Sequence, residues 1–291
     1  MGSFLGHVVP GTFFFVFSLW WLYNVLYRYF YSKRFRPKGY RNTTTFPCPC
    51  NQSAAIEAIL IIVSACLGIL GEFITGFENG EWTHWGNAQH ITMFFFFGLN
   101  GVVDLCIHKK WDIPPKLDYV TAALAFAVEG FLFFYHLHGR SHMDIMVHMF
   151  LVYTIGACMI STLAEMMQPT NVLPALCRTF FTFLQGTWFY QVGFILYPPV
   201  GEKWDQDDHT QMMIVTLIFT WHIAAAFATV FGMGILIWLR VQNLPGSTTM
   251  YQMVDTNEPQ TPEKCYKNGH IPYDKSTSSI NQILDSESED V

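Results

Sequence analysis

The chain has 291 residues, of which 51% are hydrophobic, 17% aromatic and only 13% charged. An average soluble domain has about 25% charged residues, so this composition excludes an ordinary soluble domain and indicates a polytopic membrane protein. The formal net charge is −6, and no basic patch suits a nucleic acid. The seven cysteines are scattered without a CxxC pair, so we expect reduced thiols.

Seven apolar stretches are long enough to cross a bilayer, whose hydrocarbon core of about 30 Å needs roughly 20 residues of helix. Lipid offers the backbone no hydrogen-bond partners, so helices are expected, and the alternation of barrel strands is absent. We therefore predict an all-α, seven-helix transmembrane bundle. Its spans lie at about 8–27, 54–75, 90–107, 117–135, 144–164, 176–197 and 212–239.

Lys and Arg predict the orientation, since they collect in the cytosolic loops of membrane proteins. Of the 16 Lys and Arg residues, all except Arg140 and Lys203 lie after spans 1, 3, 5 and 7. We therefore expect an extracytoplasmic N-terminus and a cytosolic C-terminus.

Polar side chains inside the spans are costly in lipid, so each one is a functional hypothesis. With the predicted orientation, several polar side chains from different helices lie in the extracytoplasmic half of the membrane. Four of them predict a site for Zn²⁺ or Cu²⁺, the ions that suit imidazole ligands, namely His90, Glu129, His148 and His222. Three others would support these ligands, namely His7, Asp144 and Gln191. The alternative is that such residues form hydrogen bonds between helices.

The stretch HLHGRSHMDIMVH, residues 136–148, contains four of the histidines. Asp144 and His148 are spaced i,i+4, which places a carboxylate beside an imidazole on one helix face. We therefore predict His148 as the site residue of this stretch. The loop histidines, His136, His138 and His142, are expected to mark where the chain leaves the lipid.

Three acidic residues lie near the predicted cytosolic ends of the spans, namely Glu57, Asp104 and Glu165. Snorkelling or bonds between helices account for them without a function, and Asp104 is expected to pair with a nearby lysine. In span 6, Gly186 and Gly193 predict close helix packing.

The composition becomes polar from about residue 241. This predicts a transmembrane domain over 1–240 and a disordered cytosolic tail over 241–291. Tyr251 to Val254 fits the Tyr-x-x-apolar pattern that clathrin adaptors bind, and terminal Val291 follows an acidic serine cluster that could bind a PDZ domain. Cys48 and Cys50 precede span 2 and are candidates for S-palmitoylation.

Five motifs occur in order over residues 1–240: GHVVPGTFFF, AQHITMFFFFGLNGVVD, FFYHLHGR with DIMVH, QGTWFYQVGFILYPP, and TWH in span 7. They resemble the transmembrane protein 45 family, also called domain of unknown function 716, and the related transmembrane epididymal proteins share only parts of them. The resemblance implies a seven-span protein of the trans-Golgi, endosome or lysosome, without an established catalytic activity. The family's motif positions would be His7, His90, His148, Gln191 and His222.

Three functions compete. The first is a non-enzymatic role in membrane trafficking or scaffolding, with the plasma membrane as a further location. The second is metal or proton binding by the His and Glu residues described above. The third is an intramembrane metal-dependent hydrolase with Glu129 or Asp144 as the base. No serine and no helix with paired histidines supports this third function. We prefer the first.

Overall fold

The computed structural model describes residues 3–36, 39–46 and 55–244. Within these ranges the chain forms seven α-helices and one short hairpin, so the all-α class is confirmed. The helices are α1 (Phe4–Phe35), α2 (Ala55–Thr75), α3 (Trp85–His108), α4 (Leu117–Tyr135), α5 (His142–Met167), α6 (Val172–Leu196) and α7 (His209–Gln242). Among the described residues, six helices are long and apolar enough to cross a membrane, namely α1 to α5 and α7.

Helix α6 is the polar centre of the bundle. It packs on α1, α5 and α7, and most of its length is buried, including Arg178, Thr182 and Gln185. Neighbouring helices therefore separate these polar side chains from lipid. The outer helices expose apolar side chains such as Leu67, Phe131 and Phe227.

The first and last helices are longer than their predicted spans. Helix α1 has 32 residues, or about 48 Å at 1.5 Å per residue, against a hydrocarbon core of about 30 Å. Near its end, Arg34 donates from Nη2 to the Leu244 carbonyl at 3.0 Å and from Nη1 to the Val241 carbonyl. The basic end of α1 is therefore attached to the end of α7.

Helices α1 and α6 cross at two glycines. A Cβ atom added to Gly186 would lie 2.6 Å from the Phe15 nitrogen and 3.1 Å from the Gly11 carbonyl oxygen. A Cβ atom added to Gly11 would lie 3.0 Å from the Phe189 Cβ. The predicted packing role of Gly186 is confirmed, because only a residue without a side chain permits this backbone approach.

A hairpin of two short strands, β1 (Phe77–Glu78) and β2 (Glu81–Trp82), joins α2 to α3. Its two turn residues have positive φ angles, 54° at Asn79 and 85° at Gly80. Asn-Gly is the preferred pair for such a two-residue turn. The hydropathy pattern did not predict this hairpin, which lies between spans.

The loop over residues 39–46 folds back under the helices. The Asn42 nitrogen donates to the Pro169 carbonyl at 2.7 Å, and the Thr44 hydroxyl donates to Asp118 Oδ2 at 2.7 Å. The Phe46 nitrogen donates to Glu57 Oε2 at 2.9 Å. This loop therefore covers the bundle end at which α1 and α7 end, which we call the lower end. The upper end is the opposite one, where α1 begins.

Candidate functional site

The upper end carries a series of polar contacts that starts between α2 and α3. His90 Nδ1 lies 3.2 Å from Glu72 Oε1, and their side chains are 25% and 18% exposed. The His90 ring centroid lies 5.6 Å from that of His136, the residue that follows α4. Three helices therefore meet around His90.

The α4–α5 loop continues this series. Arg140 Nη1 donates to both carboxylate oxygens of Asp144, at 2.9 and 3.1 Å, and Arg140 Nη2 donates to His136 Nε2. His136 Nδ1 lies 2.5 Å from Gln89 Oε1, so a neutral imidazole with its proton on Nδ1 satisfies both contacts. Ser141 caps α5 by accepting from the Asp144 nitrogen at 3.3 Å.

Burial, followed by the Arg140 charge, lowers the pKa of His136 from 6.5 to about 4. His136 follows the end of α4, as expected for the exit from lipid, and its side chain also joins α3 to the loop, a contact that the sequence did not predict. His142, in contrast, is exposed and pairs with Asp207 at 2.9 Å, as expected for a loop residue.

His148 forms the contact that its spacing predicts. Its Nδ1 lies 2.8 Å from Asp144 Oδ1 and 2.8 Å from the Asp144 carbonyl oxygen, and the residue is buried. The His7 ring centroid lies 5.8 Å away, and His7 Nδ1 donates to the Ser3 carbonyl at 2.8 Å. The Tyr197 ring centroid lies 5.4 Å from that of His7.

Glu129 and His222 have other partners. Glu129 is fully buried between α4 and α6, where its Oε1 accepts a hydrogen bond from Gln185 Nε2 at 2.7 Å. His222 Nε2 lies 3.4 Å from Gln191 Oε1, and its ring lies edge-on to Trp188 at 5.4 Å. Each of these contacts joins α6 to a neighbouring helix.

The four predicted metal ligands thus contact four different side chains. The pairs are His90 with Glu72, Glu129 with Gln185, His148 with Asp144, and His222 with Gln191. Within residues 3–36, 39–46 and 55–244, no three His, Cys, Asp or Glu side chains are arranged so that they could bind one ion. The three supporting residues lie beside the predicted ligands, His7 and Asp144 at His148 and Gln191 at His222. The metal site stays a prediction.

A second polar cluster, at the lower end, was not predicted as a site. Glu57 is 3% exposed, and its carboxylate accepts three hydrogen bonds. Trp20 and Trp21 donate from their indole nitrogens at 2.8 and 2.7 Å, and Phe46 donates from its backbone nitrogen. These contacts join α2 to α1 and to the loop over 39–46.

Glu165 and Arg178 form a buried ion pair between α5 and α6. Arg178 Nε donates to Glu165 Oε2 at 2.7 Å, with side-chain exposures of 4% and 0%. Tyr119 donates to Glu165 Oε1 at 3.2 Å, and the Arg178 guanidinium lies 5.0 Å above the Trp21 ring. Arg178 is therefore part of the bundle interior, not a loop charge as the orientation argument treated it.

Asp104 is buried beside this cluster. Asn100 Nδ2 donates to Asp104 Oδ2 at 3.2 Å, and Thr121 donates to Asn100 Oδ1 at 2.8 Å. The expected pair with a lysine is wrong, since the carboxylate points into the bundle. Snorkelling is likewise wrong for Glu57, Asp104 and Glu165, all buried, whereas bonding between helices is confirmed for Glu57 and Glu165.

The sequence contains the signal for this cluster. Three acids and one arginine, from α2, α3, α5 and α6, share one depth, which is the argument that was applied to the upper end. Snorkelling also accounts for charged residues near a predicted span end, so depth alone does not identify these residues as a cluster.

Comparison with known proteins gives a family. The model of a family of unknown function, DUF716, matches residues 115–235, which include α4 to α6 and most of α7. The resemblance inferred from the motifs is thus confirmed.

The chain is also similar to transmembrane epididymal protein 1 of Homo sapiens, with 32% identity over 139 residues, 46% of this chain and half of the human protein. It is similar to transmembrane epididymal protein 1 of Rattus norvegicus, with 26% identity over 234 residues, and to transmembrane epididymal protein 1A of Mus musculus, with 27% over 246 residues. Each rodent alignment covers 77% of both chains. These names and the apolar helices identify an integral, multi-pass membrane protein.

Several predicted sites lie outside the described residues. They are the sorting signal at Tyr251 and Val254, the terminal Val291, and the lipidation candidates Cys48 and Cys50. They stay predictions.

Proposed function

We propose that the chain is a non-enzymatic, seven-span endomembrane protein that acts in membrane trafficking or scaffolding. The supporting observation is that the ionisable side chains of the upper end contact other side chains of the bundle, most of them on another helix. A catalytic or carrier site needs polar atoms free to meet a ligand, whereas these side chains contact the protein itself. Among the described residues of the upper end, Glu129 Oε2 is the one buried side-chain oxygen without a hydrogen-bond partner. Such contacts stabilise a rigid bundle.

In this proposal α6 also spans the membrane, in addition to the six helices α1 to α5 and α7. Its 25 residues reach about 38 Å at 1.5 Å per residue, which is sufficient for the hydrocarbon core. The upper end faces away from the cytosol, and the tail over 241–291 is cytosolic. The bias of Lys and Arg supports this orientation. On intact vesicles of these endomembranes, whose cytosolic face is outward, an accessible C-terminal tag and a protected N-terminal tag would agree with it, and the opposite pattern would contradict it.

The tail provides the partners in this proposal. Tyr251 to Val254 would bind a clathrin adaptor, Val291 a PDZ domain, and the protein would reside in trans-Golgi, endosomal or lysosomal membranes. A Tyr-based signal acts at a short distance from the membrane, and Tyr251 follows the end of α7 by nine positions, 242 to 251.

The test is the steady-state location of the variant Tyr251→Ala. We expect a shift to the plasma membrane, because endocytic retrieval would be lost while the bundle is unchanged. Tyr266→Ala is the matched control, since Tyr266 is followed at the third position by Gly269 instead of an apolar residue. Equal distributions of wild type, Tyr251→Ala and Tyr266→Ala in quantitative imaging would remove the sorting role.

A further inference from the structure

A cavity of about 90 Å³ lies inside the bundle, between α1, α2, α3, α4 and α6. Its wall is mainly apolar and includes six phenylalanines, namely Phe13, Phe14, Phe17, Phe94, Phe97 and Phe126. This volume exceeds several-fold the roughly 10–15 Å³ that one water molecule needs. An apolar cavity of this kind binds the apolar part of a small molecule more readily than water.

One side of the cavity is polar, and two of its polar atoms have no partner. Asp104 Oδ1 and Arg178 Nη2 are buried without a hydrogen bond to any residue that the structure describes. Both residues line the cavity, and they are 5% and 3% exposed. An unpaired buried polar atom is costly, so two such atoms at one cavity indicate a bound group that supplies a donor and an acceptor.

The surrounding charges restrict the chemistry of that group. Asp104 and Glu57 both line the cavity with Arg178, and the arginine is already paired with Glu165. An anionic headgroup would therefore meet more carboxylates than cations. An uncharged hydroxyl group can donate to Asp104 Oδ1 and accept from Arg178 Nη2.

We propose that this cavity binds the head and first carbons of an uncharged lipid that carries a hydroxyl group, with its apolar part against the phenylalanines. The polar side of this site, with Asp104 and Arg178, lies towards the lower end of the bundle, and no histidine that the structure describes lines the cavity. This binding site goes beyond the trafficking role, which does not require a ligand.

The cavity has a natural test variant. Ala122 on α4 lines the cavity, so the variant Ala122→Leu would fill it. Ala127 on the same helix is half-buried and does not line it, so Ala127→Leu is the matched control. A second variant, Asp104→Ala, removes the unpaired acceptor.

The experiment uses the full chain, purified in mild detergent, and a photoactivatable, alkyne-bearing long-chain alcohol. The matching probe is the phosphate monoester of the same alcohol. We expect the alcohol to label peptides of α1, α3 or α4, free long-chain alcohol to compete, and the phosphate to label weakly. Ala122→Leu and Asp104→Ala should each lower labelling by about tenfold, and Ala127→Leu should not.

Size-exclusion chromatography shows whether each variant is folded. If Ala122→Leu does not fold, competition on the wild type and the comparison of the two probes still test the proposal. Equal labelling by both probes, labelling that free alcohol does not reduce, or undiminished labelling of a folded Ala122→Leu would overturn it.

Discussion

The crossing of α1 and α6 makes a sharp prediction for the variant Gly186→Ala. The added methyl carbon would lie 2.6 Å from the Phe15 nitrogen and 3.0 Å from its Cα. Contacts under 3.0 Å essentially never occur for real Cβ atoms, and both neighbours are backbone atoms. The two helices must therefore move apart along the most extensive interface of the bundle.

The size of the effect follows from two opposing contributions. Overpacking of this kind costs about 1–3 kcal/mol, whereas alanine in place of glycine in a helix gains roughly 1 kcal/mol. Gly156→Ala on α5 has the same intrinsic gain, and no atom lies within 4 Å of its added Cβ. The difference between the two variants isolates the cost of the clash, which we expect to be about 1–3 kcal/mol.

Thermal unfolding of the purified protein in detergent measures this difference. Gly186→Ala should unfold at a lower temperature than Gly156→Ala, by about 2–4 °C for each kcal/mol. Gly11→Ala, on the opposite side of the crossing, should behave like Gly186→Ala. Equal unfolding temperatures for Gly186→Ala and Gly156→Ala would refute the account of the crossing.

Two further predictions concern buried polar residues. The pKa of His136 is about 4 in the folded chain and 6.5 in the unfolded chain. Between these two pH values the unfolded chain binds more protons than the folded chain. The free energy of unfolding should therefore fall as the pH is lowered from 6.5 towards 4. In unfolding measurements the variant His136→Gln should reduce this dependence of stability on pH, and the control His138→Gln should not. An unchanged pH dependence in His136→Gln would contradict the contact with Arg140. The variant Glu129→Gln keeps an acceptor for Gln185, so its free energy of unfolding should be close to that of the wild type. Glu129→Leu leaves the Gln185 amide unpaired and should lower the free energy of unfolding by about 1–3 kcal/mol. Equal stabilities of the two variants would show that the bond between Glu129 and Gln185 is unimportant.

Hydropathy predicted the helices well because lipid imposes one requirement on every span. All seven predicted spans overlap an observed helix, and the spans of α2 and α4 agree with the helix bounds within one residue. The ends of α1 and α7 were predicted too short, since a helix can continue past the lipid once Tyr, Lys and Arg side chains can reach water. Hydropathy indicates where the chain enters and leaves the lipid, and a helix can begin before or end after those positions.

The contacts between helices were less predictable. The i,i+4 spacing of Asp144 and His148 fixed their contact, because both lie on one helix. Whether His90 and His148 share a partner depends on how α3 and α5 are rotated, and one sequence carries little information on rotation. Depth alone therefore grouped residues that the packing separates, and it missed Arg178, whose partner Glu165 lies on another helix.

In the proposed function, the ionisable residues of the upper end join helices and do not bind an ion. Elemental analysis of the full-length protein, purified without chelators, tests this claim most directly. We predict zinc and copper contents well below one ion per chain, which the variant His90→Ala leaves unchanged. One zinc or copper ion per chain, lost in folded His90→Ala or Glu129→Gln, would contradict the claim and support the predicted metal site.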